Sequence, residues 1–217
     1  MKMKYTLLAL FSATIISLNT NAQATATEAK ALLNKASEKL KTYKTYSLNF
    51  SYTFENTRVE PPVKQEQSGK LAVQGENYRL NLPGTEQLRV GDKLYNILPD
   101  DEEVQVTAYD EEENQGLTPS RILSLYNKGY SYKLGGTETV NGKTIEYVIL
   151  KPVASEEVDK IMVGIEKSTS LVYSLKQWGQ NGTITTFTIK DFKPNPSLPA
   201  GYFTFNKKDY PGFYIAE

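Results

Sequence analysis

From Ser47 onward, apolar and polar residues alternate along much of the chain. The first such run places Leu48, Phe50, Tyr52 and Phe54 at every second position, with polar residues between them. Because successive side chains of a strand point to opposite faces, this period predicts a strand with one apolar and one solvated face. That division is typical of antiparallel sheets. Most of the 217 residues are therefore expected to form a β-sheet.

Further runs of the same kind, separated by short turns, predict about eleven strands that pair as a meander. Asn141-Gly142 and Asn181-Gly182 are typical of tight hairpin turns. The polar segment 56–68, with two prolines at its centre, predicts a loop. After a proline-rich link, the sequence Tyr-Phe-Thr-Phe at 202–205 predicts a late strand.

Two stretches have helical spacing instead. Residues 25–28 (Thr-Ala-Thr-Glu) match a helix capping box, and the apolar residues that follow predict an amphipathic helix ending near Lys44. Thr118 and Pro119 are typical of a helix start, and the apolar residues after them predict a short helix that ends before Gly129. This second helix either packs against the sheet or forms a mobile lid over an opening in it, and both interpretations stay open.

A sheet of about eleven twisted strands must curl, close or split into two layers. Its apolar face then encloses either a filled core or a cavity. The chain contains 15 Tyr, 8 Phe and 1 Trp, and so many bulky side chains beside so few helices favour a cavity. The predicted fold is mainly β (α+β): a curled antiparallel sheet with an N-terminal helix and a short lid helix over an apolar cavity.

The first residues have the composition of an export signal. Lys2 and Lys4 precede an apolar stretch at 5–18, and small residues at Thr20 and Ala22 suit cleavage before Gln23. We therefore expect 1–22 to be a cleaved signal peptide and 23–217 to form one domain. An uncleaved membrane anchor is the alternative, although the apolar stretch is short for a span.

Composition excludes several classes of chemistry. The chain has no histidine and no cysteine, so it can form neither a Ser-His-Asp triad nor a Cys/His zinc site. With 25 basic and 25 acidic residues, it lacks the charge excess typical of nucleic-acid binding. The acidic clusters at 100–103 and 110–113 lack calcium-loop spacing and are expected to be solvated turns. We predict no cofactor, no metal and no enzymatic activity.

The order of these elements resembles the LolA family of outer-membrane lipoprotein carrier proteins, and the resemblance covers nearly all of the chain after the signal. The helix, the alternating strand and the long polar loop come first in both. The residues that carry the resemblance are Gly-Lys-Leu-Ala-Val at 69–73, Tyr-Arg-Leu at 78–80, Glu-Gln-Leu-Arg-Val-Gly-Asp-Lys-Leu-Tyr at 86–95, Val-Gln-Val at 104–106, Leu-Thr-Pro and the apolar helix at 117–125, and Phe-Thr-Phe at 203–205.

This resemblance implies both a fold and a role. LolA-like proteins form an incomplete antiparallel β-barrel whose helices cover an apolar cavity. They accept acylated lipoproteins from an inner-membrane ABC transporter, cross the periplasm, and pass the cargo to an outer-membrane acceptor or directly to that membrane. By resemblance, the chain is expected to be a periplasmic monomer that meets membranes transiently.

Inward-facing apolar residues and the lid are the candidate acyl-binding site. We predict that the cavity is lined by Phe50, Tyr52, Phe54, Leu71, Val73, Tyr78, Leu80, Leu88, Val90, Tyr95, Ile122, Leu125 and Trp178. Many family members have a lid-holding arginine after the Leu-x-Val strand, where this chain has Gln-Gly-Glu at 74–76. Arg79 or Arg89 is expected to take over that contact.

Three other functions remain open at this point. The same scaffold suits a periplasmic protein that binds or senses free lipids or glycolipids. A filled core would instead make the chain a structural or interaction domain. A hydrolase that uses only carboxylates is the third alternative, although the acidic residues fall mostly on polar faces and in turns.

Overall fold

The structure is a computed structural model that describes residues 17–110, 129–155 and 157–216, with side chains described from Thr25 onward. These residues form one α-helix, α1 (Ser17–Lys41), and twelve strands. The strands are β1 (Thr45–Asn56), β2 (Val63–Gln74), β3 (Asn77–Leu82), β4 (Thr85–Val90), β5 (Lys93–Leu98), β6 (Glu103–Ala108), β7 (Tyr130–Val140), β8 (Lys143–Pro152), β9 (Val158–Glu166), β10 (Val172–Gly179), β11 (Thr183–Pro194) and β12 (Tyr214–Ala216). Pro99–Asp101 and Lys207–Asp209 are short 3-10 helices.

All the strands belong to one curled, unclosed sheet in the order β12-β6-β5-β4-β3-β2-β1-β11-β10-β9-β8-β7. Its pairings are antiparallel except for β12, which lies parallel to β6. The predicted curled antiparallel sheet is confirmed. The strand that the sequence did not predict is β12, because three residues are too few to show a period.

Both asparagine-glycine turns are confirmed. Asn141 and Gly142 have φ values of 50° and 77° and join β7 to β8 as a two-residue turn. Gly182 has a φ of 83° in the short connection between β10 and β11. Glycine and asparagine tolerate this left-handed region far better than other residues, which is why they mark these turns.

The loop predicted at 56–68 is wrong in its second half. β2 already begins at Val63, and β1 pairs with it from Thr45 opposite Gln74 to Asn56 opposite Val63. The side chains from Val63 to Ser68 are all exposed. Backbone pairing with β1 therefore defines this part of the strand, and no apolar face is present to give it a period of two.

The N-terminal helix is confirmed, but its predicted bounds are wrong. α1 begins at Ser17 and passes through the predicted capping box, which consequently lies inside the helix. It ends at Lys41 rather than near Lys44. The capping prediction assumed a chain that starts after the signal, whereas here the preceding residues extend the helix. No helix in the described part of the chain is both long enough and apolar enough to cross a membrane.

α1 packs against β7, β8 and β9 and so defines two faces of the sheet. The helix buries Ala29, Leu33, Ala36 and Leu40 in a large apolar cluster with residues from both halves of the sheet. We call the sheet face in this cluster the inner face. A smaller cluster around Leu88 lies on the opposite, outer face.

The late strand predicted at 202–205 is absent, since these residues form turns and irregular structure. The Phe205 ring packs on the outer face instead, where it stacks on the Tyr95 ring with a centroid distance of 4.3 Å. We call 199–216 the C-terminal segment. The short lid helix predicted after Thr118, with Ile122 and Leu125, lies outside the described residues.

Candidate ligand-binding face

The inner face brings together seven of the predicted cavity residues. Directly opposed residues of an antiparallel pair share a face, and Leu48 is opposite Leu71, which is opposite Leu80. Tyr46, Val73 and Tyr78 form the next row on that face. The predicted residues on the inner face are Phe50, Tyr52, Phe54, Leu71, Val73, Tyr78 and Leu80.

Burial divides these residues into a base and a rim. Phe50, Leu71, Val73 and Tyr78 are buried, whereas Tyr52, Phe54 and Leu80 are half-buried. The Phe50 ring lies 4.6 Å from the Phe187 ring and directly above Gly69, where any side chain would collide with it. The half-buried residues therefore present apolar surface that a ligand could cover.

The structure does not place Leu88, Val90 and Tyr95 with them. Leu88 is opposite Arg79 and Tyr95, and all these side chains are on the outer face. Leu88 is fully buried there with Ile97 and Val104, while Val90 and Tyr95 pack around that cluster. Their expected place in the cavity is corrected. In β4 it is Arg89, not Leu88, that is opposite Tyr78. The apolar side chains of this strand therefore point to the outer face.

Trp178 also lies on the outer face. It is opposite Lys160, and the neighbouring pair of Ile161 and Gln177 belongs to the inner side. Two ammonium groups lie over its ring, Lys160 Nζ at 4.6 Å and Lys176 Nζ at 5.0 Å from the centroid. Its expected cavity position is corrected, since alternation alone does not say which face of a strand is covered.

Arg79 holds the C-terminal segment against the outer face. Its guanidinium forms an ion pair with Glu86, donates through Nε to the Tyr202 carbonyl at 2.9 Å, and lies 5.2 Å from the Tyr202 ring. The Tyr210 hydroxyl donates to the same Glu86 carboxylate at 3.3 Å. Burial, reinforced by the Glu86 charge, raises the pKa of Tyr210 although Arg79 acts in the opposite direction.

Arg89, in contrast, is on the inner face. Its guanidinium lies 3.6 Å from the centroid of the Tyr109 ring, and Nε donates to the Gly91 carbonyl at 3.2 Å. The ion pair with Glu76 spans 3.4 Å, but the Glu76 side chain is 82% exposed, so this pair contributes little. Tyr109 is the main partner of Arg89, and it stands nine residues before Thr118, where the predicted lid helix begins.

A cavity adjoins the inner face where α1 ends. Its volume is ≈ 260 Å³, and its lining includes Leu40, Tyr43, Tyr46 and Val73. This volume is slightly below the range of about 300–1,000 Å³ that is typical of ligand pockets. From the cavity, the half-buried rings of the inner face continue the apolar surface. This arrangement can bind an apolar chain by burial, and a chain without histidine or cysteine offers it no residue pair of the kind used in Ser-His or Cys-His catalysis.

Sequence reasoning missed the far half of the inner face. Phe187, Leu175, Val163 and Val148 are opposite one another across four strands and are all buried. The signal was present, because Phe187 stands between two threonines in an alternating run. Two polar residues of the inner face, Gln87 and Asn96, gave no signal, since a period of two cannot tell a polar side chain facing inward from one facing solvent.

Comparison with known proteins agrees with this architecture. The family model described as "Outer membrane lipoprotein carrier protein LolA" matches residues 41–206. Proteins named outer-membrane lipoprotein carrier protein from two strains of Legionella pneumophila are similar in sequence. The Lens protein is 29% identical over 170 residues, which are 77% of this chain and 82% of that protein. The Corby protein is 28% identical over 169 residues, covering 77% and 81%.

Solved structures share the fold. An uncharacterized conserved protein from Thermus thermophilus aligns with a TM-score of 0.55 at 11% identity, covering 87% of this chain and 98% of its own. LprF from Mycobacterium bovis aligns with a TM-score of 0.50 at 11% identity, covering 81% and 97%. At such identities the likeness concerns the fold alone.

Proposed function

Since the chain belongs to the LolA family of outer membrane lipoprotein carrier proteins, we propose that it binds the acyl chains of lipoproteins on its inner face and carries them across the periplasm. The observation that carries this proposal is the apolar inner face, whose half-buried rim of Tyr52, Phe54 and Leu80 adjoins a buried base. A rim of this kind loses solvent contact when an acyl chain lies on it.

The physical need for such a carrier is large. Each methylene group removed from water contributes about 0.8 kcal/mol, so a free acyl chain does not leave a membrane readily. A carrier must offer comparable burial while leaving release feasible. An open sheet face meets both requirements, because it buries the chain without enclosing it on all sides.

The proposal includes partners and a location. We propose that residues 1–22 are removed on export, and that an inner-membrane ABC transporter supplies the cargo. An outer-membrane acceptor, or that membrane itself in a transient encounter, receives it. The protein acts as a monomer, and its role is binding rather than catalysis.

A release assay tests this function. Purified mature protein is added to spheroplasts of the source bacterium, and soluble complexes with acylated lipoproteins are sought. Release that depends on the protein is the expected result, and an established carrier of the family serves as the positive control. If the control releases lipoprotein and this folded protein does not, lipoprotein carriage is excluded, and co-purified phospholipid or glycolipid would then favour a lipid-binding protein on the same scaffold.

Arg89 is the arginine that we propose to hold the lid, through its contact with Tyr109. A cation–π contact of this kind contributes about 1 kcal/mol when partly desolvated. Replacing Arg89 with glutamine is expected to speed the dissociation of an apolar fluorophore about fivefold, which is the equivalent of that energy. Stopped-flow dilution measures the rate.

Two variants control this experiment. Arg89→Lys retains a cation beside Tyr109 and is expected to restore most of the slow dissociation. Arg79→Gln removes an arginine from the outer face; it should leave the dissociation rate unchanged while exposing the C-terminal segment to proteolysis. Equal acceleration by Arg79→Gln and Arg89→Gln would rule out a specific lid contact.

A further inference from the structure

Three polar side chains interrupt the apolar inner face. The Tyr78 hydroxyl donates to Gln87 Oε1 at 2.5 Å, and Gln87 Nε2 donates to Asn96 Oδ1 at 2.9 Å. Gln87 is directly opposite both Leu80 and Asn96, so the amides continue the row that begins with the apolar pair of Leu71 and Leu80. We call Tyr78, Gln87 and Asn96 the polar ladder.

The hydrogen bonds of the polar ladder run in one direction. The Tyr78 hydroxyl donates to Gln87, and the Gln87 amide nitrogen donates to Asn96, so both carboxamide oxygens act as acceptors. The Asn96 amide nitrogen has two further N–H donors. Among the residues that the structure describes, no acceptor engages that nitrogen. The ladder therefore ends in donors beside the acyl-binding surface.

A half-buried amide donor favours a ligand that supplies an oxygen acceptor, because an unpaired donor covered by an apolar ligand costs about 1–3 kcal/mol. The charge around the ladder indicates which acceptor. Arg89, the cation of the same face on β4, is already engaged by Tyr109, the Gly91 carbonyl and Glu76. A neutral carbonyl oxygen fits such a site better than a carboxylate or phosphate, which would need an available cation.

We propose that the polar ladder binds the carbonyl oxygen of an acyl ester or amide, with the acyl tail lying along Leu80 and Leu71 toward Phe50. This inference rests on the proposed function and adds to it a polar subsite at the head of the acyl chain. Acyl esters and amides occur in both lipoproteins and membrane lipids. The ladder recognises the chemistry that these molecules share and discriminates against bare hydrocarbon.

The test compares an ester with a hydrocarbon of the same carbon number. Methyl dodecanoate and tridecane each displace an apolar fluorophore from the full mature chain, and their affinities are expressed as a ratio. Asn96→Leu removes the donors at similar size, and Asn96→Asp removes them while keeping the acceptor for Gln87 Nε2. In both variants we expect the ester-to-hydrocarbon ratio to fall about fivefold, since a neutral hydrogen bond contributes about 1 kcal/mol.

Gln105→Leu is the matched control. Gln105 is opposite Asn96 on the next strand, but it is exposed, and its amide nitrogen already donates to Glu103 at 3.0 Å. This variant should leave the ratio unchanged. An unchanged ratio in both Asn96 variants would overturn the proposal. This holds also if the affinities for the two probes fall equally, because an equal fall indicates a merely structural role. If the wild-type protein binds neither probe, it is the proposed acyl-binding function that fails.

The two natural sources of the carbonyl are separated by two further ligands, a diacylglycerol and a triacylated cysteine peptide. The Asn96 variants should weaken both, and tighter wild-type binding of the peptide would identify lipoprotein as the source. If the Asn96 variants weaken neither ligand, carbonyl recognition by the ladder is refuted for natural acyl groups.

Discussion

Replacing Leu80 with glutamate is expected to weaken the binding of acyl ligands about 30-fold while leaving the protein folded. Leu80 is half-buried on the inner face, beside Leu71 and the polar ladder. A carboxylate there removes apolar contact equivalent to two or three methylene groups, or about 2 kcal/mol. Displacement titration of an apolar fluorophore measures the affinity, and the same variant should fail in the spheroplast release assay.

Lys70→Glu provides the control for that variant. Lys70 is adjacent to Leu71 in β2 but is exposed on the outer face, where it is opposite Asn81. It introduces the same side chain close by without touching the inner face, so the affinity should remain within about twofold of wild type. Circular dichroism verifies the fold of both variants. Wild-type affinity in Leu80→Glu would remove Leu80, and the row it belongs to, from the binding site.

Replacing Leu88 with alanine is expected to have the opposite profile, a large loss of stability with unchanged affinity. Leu88 is fully buried in the outer cluster with Ile97 and Val104. Large-to-small substitutions at such positions cost about 2–5 kcal/mol, since they remove apolar contact and leave a cavity. Urea unfolding measures the change in the free energy of unfolding, and ligand titration below the transition gives the affinity of the folded protein.

Leu88→Met is the conservative counterpart, because it keeps the side-chain volume and should cost less than about 1.5 kcal/mol. The comparison tests which face of β4 binds ligand. If Leu88→Ala weakens ligand binding as much as Leu80→Glu does, the division between inner and outer faces in β3 and β4 cannot be correct.

The sequence predicted the sheet well because its main signals are local. Leu48 to Phe54 alternates clearly, and the positive φ values of Asn141 and Gly142 need the residue types that the sequence shows. Short turns then make neighbouring runs pair in chain order. The order of the strands from β1 to β6 and from β7 to β11 follows from these signals alone.

The sequence could not show to which face of the sheet the apolar side chains of each strand point. β3 places Tyr78 and Leu80 on the inner face, whereas β4 places Leu88 and Val90 on the outer face. Both strands alternate equally well, and the difference arises because the C-terminal segment covers the outer face of this half of the sheet. A cover that comes from residues more than a hundred positions away leaves no mark in the local pattern.

β1 lies in the middle of the sheet although it is the first strand of the chain. Its pairing with β2 is local, but its pairing with β11 joins residues as far apart as Tyr46 and Pro194. The entropic cost of closing a loop rises with its length, and such distant pairings form late in folding. The meander from β1 to β6 and the meander from β7 to β11 can therefore pair only when both are present. The sheet cannot be completed until nearly the whole chain is available. That delay suits a polypeptide that, on the proposed route of export, crosses a membrane as an extended thread and folds on the far side.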